Sequence, residues 1–163
     1  MHEGFEQALD AAAYQRLIAA IPHEASRILF TGHSLGAALA SLAASRYHHV
    51  DHLYTFGSPR LGDQDFANSM AHVNHSRFVN CCDLVTTVPP ELFGYRHFGT
   101  LHYIDRFGRV TIEPAEDLIN ADKLTAEAQY QIQHAFQRGR VPSRSLADHT
   151  PFNYVSATMG LRV

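Results

Sequence analysis

The chain contains no tryptophan and only two cysteines, Cys81 and Cys82, which are neighbours. Adjacent cysteines cannot staple distant parts of a chain, so no disulfide framework supports this fold. They build no CxxC or other cysteine spacing for zinc, and no HExxH string is present, so no metal site is expected. We read both as reduced, half-buried strand residues, which points to a reducing compartment such as the cytoplasm. Charge is also scarce: charged residues make up 18% and the formal net charge is −3. A nucleic-acid binder carries a basic excess, which is missing here. No apolar run approaches the ~20 residues that a membrane-spanning helix needs. The opening MHEGFEQALD has no apolar stretch of the kind a signal peptide requires.

What is present suits one globular unit. The length of 163 residues and the 45% apolar content fit a single domain spanning residues 1–163. Ten phenylalanines and seven tyrosines supply large core side chains in place of tryptophan. Histidine is abundant, with twelve residues, and reads as surface enrichment. Full protonation would add twelve positive charges to the formal −3, so the charge should change steeply near the histidine pKa.

The periodicity alternates between helix and strand. Phe5, Leu9, Ala13, Leu17 and Ile21 recur every four residues, which predicts one helix over 5–21, ended by Pro22. Residues 27–31 form an apolar run too short for a helix, a buried strand closed by Gly32. Residues 34–47 are alanine-rich and apolar nearly all round, the pattern of an interior helix. A strand over 50–56, a helix over 62–73 and a strand over 77–82 follow. Residues 83–96, with Pro89, Pro90 and Gly94, read as a loop. Segments 97–104 and 109–112 flank the turn Arg106-Phe107-Gly108 and predict a hairpin. A polar helix over 116–138 is expected to break near Asp122. Its second half carries Ala128, Ile132, Ala135 and Phe136 on one face, and Gly139 ends it. A loop through Pro142 leads to His149, and Pro151 starts a short last helix. Alternating helices and strands predict an α/β fold with a mostly parallel sheet flanked by helices.

The string that carries chemistry is Gly32-His33-Ser34-Leu35-Gly36. It fits G-x-S-x-G and lies between a predicted strand and an alanine-rich helix, the context of a nucleophile elbow. On a sharp strand-to-helix turn the Ser34 hydroxyl would project from the sheet. Side chains at positions 32 and 36 are expected to collide with backbone there. The Leu35 N–H, at the positive end of the helix, is the natural donor to a developing oxyanion. The plainer reading is a capping serine between two glycines.

A serine hydroxyl needs a general base, and the base needs an orienting carboxylate. Asp83 directly follows the apolar strand, at the sheet edge where functional groups collect. Asp105 and Asp148 are the other acids considered. His97, His102, His134 and His149 are the candidate bases. His134 suits a solvated helix face, and His97 and His102 suit strand packing. His149 sits in a loop that can bring an imidazole over the sheet edge.

Longer strings narrow these choices. Residues 31–40, Thr-Gly-His-Ser-Leu-Gly-Ala-Ala-Leu-Ala, resemble the nucleophile block of the class 3 lipase family, the fungal-lipase-like α/β-hydrolases. Tyr54-Thr55-Phe56-Gly57-Ser58-Pro59-Arg60-Leu61-Gly62-Asp63 with Phe66 resembles that family's next strand and turn. Its acid block is similar to Arg77-Phe78-Val79-Asn80, Asp83, Val88-Pro89-Pro90, Tyr95 and His97-Phe98-Gly99. Its histidine block is similar to Asp148-His149 with Tyr154, and His2-Glu3-Gly4-Phe5 resembles its H-x-G-F segment.

The resemblance implies a triad of Ser34, Asp83 and His149, no cofactor, and a lipid or other ester as substrate, with contact at a lipid interface. It also implies that this chain lacks the family's N-terminal part, which holds early strands, the first oxyanion donor and the lid. The strand over 27–31 would then be an exposed apolar edge that a second copy could pair with. The expected activity is serine carboxylic-ester hydrolysis through an acyl-enzyme, that of a triacylglycerol lipase or esterase. The alternatives are a catalytically silent fragment acting as an acyl-binding or assembly module, and an acyltransferase using the same triad.

Overall fold

The computed structural model describes residues 3–47, 49–134 and 143–161. His2, Ala135, Phe136, Gly139 and Pro142, used above, lie outside them. Among the described residues, five strands form one sheet in sequence order: β1 (Leu29–His33), β2 (His52–Phe56), β3 (His75–Asn80), β4 (Thr100–Ile104) and β5 (Val110–Ile112). The first four run parallel, and β5 returns antiparallel to β4. The expected mostly parallel sheet and the hairpin are both present.

Strand alternation sorts the core onto two faces. Leu53 of β2 packs into a cluster with Phe30 and with Leu42 of α3 (Leu35–Arg46). The next outward step, Phe56, turns to the other face and stacks on Phe78 with ring centroids 4.9 Å apart. That face is covered by Tyr154 and Ala157 of α7 (Pro151–Thr158). α3 is therefore an interior helix, as its composition demands: Ala37, Ala38, Leu42 and Ala44 are fully buried.

The first helix differs from the periodic reading. It is two helices, α1 (Glu3–Ala8) and α2 (Ala11–Ala19). Asp10 caps α2 by accepting from Ala13 N at 2.7 Å, and a side chain so engaged starts a new helix in preference to continuing the old one. The first strand starts two residues later than expected and includes Gly32, which pairs with Thr55. α4 (Gln64–Ser69) is capped by Asp63. Cys81 and Cys82 are not strand residues. They lie in the turn after β3 and are buried. The loop expected over 83–96 carries two 3-10 turns, Leu84–Thr87 and Glu91–Phe93.

α5 (Glu116–His134) runs unbroken through Asp122. The Asp122 carboxylate accepts from Tyr103 Oη at 2.9 Å, Arg106 N at 3.0 Å and Arg106 Nη1 at 2.6 Å. Those tertiary partners occupy it, so it does not compete for its own helix backbone. The loop before His149 contains a short helix, α6 (Arg144–Ala147). The histidines are not all on the surface: His75 is buried and bonds Thr55 Oγ1 through Nε2 at 2.8 Å. β1 ends the described sheet, and Leu29 on it is 47% exposed.

Candidate active site

Ser34 occupies the joint between β1 and α3 with φ 57° and ψ −125°. A non-glycine residue there costs about 1–3 kcal/mol and persists only where the surroundings impose it. The surroundings do so from both sides. Ser34 N donates to Phe56 O at 3.0 Å, which extends the β1–β2 ladder. Ser34 O accepts from Ala37 N at 3.0 Å, which opens the helix. Strand and helix together leave the serine no relaxed alternative, and its hydroxyl is turned outward.

The two glycines of the motif do different work. A Cβ on Gly32 would stand 2.2 Å from Gly36 O, so α3 approaches β1 too closely for any side chain. A Cβ on Gly36 would meet nothing within 4 Å, so the expected collision at position 36 does not occur. Gly36 is exposed on the first turn of α3, where only the helix's own backbone is near.

Three elements converge on Ser34. His149 follows α6 and brings Nε2 to 2.8 Å from Ser34 Oγ. Asp83, one turn past β3, holds both carboxylate oxygens 3.0 Å from His149 Nδ1. A carboxylate only accepts, so Nδ1 carries the proton and Nε2 is left to accept from the serine hydroxyl. Asp83 is 1% exposed, and its carboxylate accepts from Val85 N at 2.9 Å and Tyr154 Oη at 2.5 Å. Burial first, and the Asp83 charge next, push the Tyr154 phenol well above its ordinary pKa, so it stays a donor. Tyr154 Oη in turn accepts from Asn80 N at 3.1 Å.

The histidine loop is pinned at its base. Asp148 Oδ2 accepts from Cys82 N at 3.1 Å and from Arg144 Nε at 3.1 Å. Asp148 O accepts from Asn80 Nδ2 at 3.0 Å. Burial raises the Asp148 pKa, while Arg144 opposes the shift. His33 Nε2 donates to His149 O at 2.8 Å, and the two rings lie 4.7 Å apart. Burial is the main cause of the lowered His33 pKa, so the neutral ring serves as that donor.

The other candidates are elsewhere. Asp105 pairs with Arg109 in the hairpin turn. His97 bonds Thr86 O at 2.7 Å, and His102 stacks on Phe78. His134 packs against Tyr130 on α5. Leu35 N is the first backbone donor of α3 after Ser34 and makes no hydrogen bond among the described residues. Three participants were not legible as such in the sequence: Tyr154, Asn80 and Gly57. A Cβ on Gly57, at φ +59°, would stand 2.8 Å from Asp83 Oδ2 and 3.2 Å from His149 Nδ1. Its place directly after β2 was the available signal, but only the packed site shows why a side chain is excluded. Among the described residues, Cys81, Cys82 and Asp148 form the one group able to gather ligand atoms for a metal.

Chemically, the arrangement can take a proton from Ser34 Oγ, hold the resulting imidazolium against Asp83, and offer an amide proton to an oxyanion.

Comparison with known proteins agrees on one family. The family model for lipase (class 3) matches residues 1–93. A secreted mono- and diacylglycerol lipase from Fusarium solani is 36% identical over 115 residues, covering 64% of this chain and 34% of that protein. A lipase from Rhizomucor miehei is 31% identical over 145 residues, covering 83% of this chain and 36% of that protein. The crystal structure of a mono- and diacylglycerol lipase from Aspergillus oryzae superposes with a TM-score of 0.57 at 32% identity, over 63% of this chain and 41% of that one. The chain thus spans about a third of the length of the curated relatives it matches.

Proposed function

The chain belongs to the class 3 lipase family, and from that premise we propose that it hydrolyses carboxylic esters of lipids through an acyl-enzyme on Ser34. The observation that carries this reading is the line from Ser34 Oγ through His149 to the buried Asp83 carboxylate. In the proposed reaction, His149 Nε2 takes the hydroxyl proton as Ser34 Oγ attacks the acyl carbon. Asp83 stabilises the imidazolium, and Leu35 N–H donates to the oxyanion. The proton then passes to the departing alcohol, and water activated by the same imidazole releases the fatty acid. Acylglycerols are the first choice of substrate, since relatives are named as lipases of mono- and diacylglycerols or of triacylglycerols. None of these steps calls for a metal or cofactor.

Two further readings concern partners. Contact with a lipid interface follows from an acylglycerol substrate. Self-association through β1 is supported by its position as the end strand and by the exposure of Leu29. Sedimentation at increasing concentration tests it, and a monomer throughout would end it.

The test of the catalytic reading is fluorophosphonate labelling with peptide mapping. The expected result is a single adduct on Ser34, lost in Ser34→Ala and in His149→Ala. Folded protein that takes no adduct would favour the silent acyl-binding module. Product analysis with added glycerol separates hydrolysis from acyl transfer.

A further inference from the structure

A second cluster of reactive side chains lies directly behind the catalytic line. Cys82 precedes Asp83 and Asp148 precedes His149, yet the pair is 66 residues apart in sequence. The fold brings Cys81 Sγ and Cys82 Sγ to 3.5 Å of each other. A carboxylate oxygen of Asp148 joins them, with all three ligand atoms within 4.8 Å and all three residues buried. The neighbours continue the set. Asp122 Oδ2 lies 3.4 Å from Cys81 Sγ, and Lys123 O lies 3.6 Å from Cys82 Sγ.

We propose that Cys81, Cys82 and Asp148 form a binding site for a thiophilic divalent cation of the Zn²⁺ and Cd²⁺ class, and that its occupancy disturbs the Asp83–His149 pair. Tetrahedral zinc with Zn–S of about 2.3 Å and Zn–O of about 2.0 Å requires ligand atoms about 3.5–3.8 Å apart. The two sulfurs, 3.5 Å apart, are already near that spacing, and the carboxylate oxygen, within 4.8 Å of both, needs a shift of at most about 1.3 Å. Two thiolates satisfy the softness that selects this class over Mg²⁺ or Ca²⁺. Arg144, bonded to Asp148, stands where an outer partner orients a ligating carboxylate and offsets the negative charge of the loaded site. Lys123 O, 3.6 Å from Cys82 Sγ, is the neighbouring oxygen that could supply a fourth ligand, since Tyr103 and Arg106 already engage Asp122 Oδ2. Cys82 is 8% exposed and provides the entry side.

The proton balance is definite. The hydrogen bond with Cys82, followed by burial, raises the Cys81 pKa, so that thiol holds its proton in the metal-free chain, and a cation binds both sulfurs as thiolates. Each bound cation therefore displaces two protons and forms two metal–sulfur bonds, with no change in oxidation state. Apparent affinity should rise by about 100-fold per pH unit below the thiol pKa values.

The coupling to the catalytic line rests on the hydrolase reading above, whereas the cation site does not. Cys82 N and Asn80 Nδ2 hold Asp148 in its present position. Drawing its carboxylate onto a metal moves the residue before His149, and moving Cys82 displaces the residue before Asp83.

The experiment titrates the full, reduced chain with Cd²⁺ alone and follows the ultraviolet cadmium–thiolate charge-transfer band. Histidine-bound cadmium gives no such band, so the many histidines do not interfere. The expected result is one saturable Cd²⁺ per chain, two protons released on a pH-stat, and displacement by Zn²⁺. Cys81→Ala and Cys82→Ala should each weaken binding at least tenfold while far-ultraviolet circular dichroism stays native. Absence of the band from folded wild-type chain, or its persistence in both variants, overturns the site without recourse to any variant's folding. Fluorophosphonate labelling of Ser34 should slow at least tenfold on Cd²⁺ saturation in wild type and be unchanged in Cys81→Ala. Equal labelling with cadmium bound overturns the coupling. A Ser34 that takes no label even without metal would instead refute the hydrolase reading and leave the cation site standing.

Discussion

Replacing Tyr154 with Phe isolates one oxygen atom in a ring that otherwise keeps its place. The ring packs edge-on against Phe56 and His33, with centroids 6.0 and 5.6 Å away, and Phe preserves both contacts. The lost hydroxyl donates to the Asp83 carboxylate at 2.5 Å and accepts from Asn80 N at 3.1 Å. Both partners are buried, with Asp83 1% and Asn80 5% exposed, so water cannot replace the phenol. A hydrogen bond to a charged group contributes about 1.5–3 kcal/mol, and an orphaned buried N–H adds about 1 kcal/mol. The expected loss of stability is thus about 2.5–4 kcal/mol, a roughly 60- to 700-fold fall in the folded-to-unfolded ratio. Urea unfolding should show a lower midpoint with an unchanged slope. Because the Tyr154 pKa lies well above the ordinary value, the loss should be constant from neutral to mildly alkaline pH. Turnover should fall about tenfold with KM unchanged, since the phenol acts on Asp83 and not on the ester. Stability within about 0.5 kcal/mol of wild type would refute the reasoning, since surface substitutions alone stay within that range.

Other substitutions test the close approaches and the buried histidines. Gly57→Ala sets a Cβ 2.8 Å from Asp83 Oδ2 at a positive φ, and should slow Ser34 labelling at least a hundredfold while costing about 1–2 kcal/mol of strain. Gly32→Ala should prevent folding at ordinary expression temperatures, whereas Gly36→Ala should melt at or slightly above the wild-type temperature, because only the first has backbone within 2.2 Å. Burial, with Arg77 second, lowers the His75 pKa to about 3, and burial drives His97 well below its ordinary value. Both stay neutral in the folded chain while the unfolded chain takes up protons near pH 6.5. Stability is therefore complete above pH 6.5 and is lost as the pH falls toward the folded-state values. Each group contributes a slope of about 1.4 kcal/mol per pH unit. His75→Gln should remove one of these two slopes in unfolding measured from pH 6.5 to 4.5, and an unchanged slope would count against its burial as a neutral ring.

Local chemistry alone determined several parts of this protein. The alternation of short apolar runs with an alanine-rich segment specifies strands and an interior helix, because burial on all sides demands that composition. G-x-S-x-G between them specifies the turn at Ser34, because strand and helix can meet so closely only at a residue such as Gly32. The pairing of Asp83 with His149, 66 residues apart, was favoured by position, as a carboxylate directly after a strand and a histidine in a loop, and the resemblance pointed to the same pair.

What the tertiary structure decided has a common cause, competition for polar groups across distant segments. Asp10 looked like one polar position in a long helix, but its carboxylate caps the next one and splits it. Asp122 looked like a break, but Tyr103 and Arg106 occupy its oxygens and the helix continues. Gly36 looked obligatory and has open space beside it, because steric demand depends on what packs nearby. Tyr154 and Asn80 acquire their roles only when α7 closes over β3 and no water remains to satisfy Asp83. Two neighbouring cysteines offer no zinc spacing along the chain, and only folding adds a carboxylate from a segment 66 residues away. Propensity and periodicity act within a few residues, whereas the partners of buried charges are chosen by the packing of the whole fold.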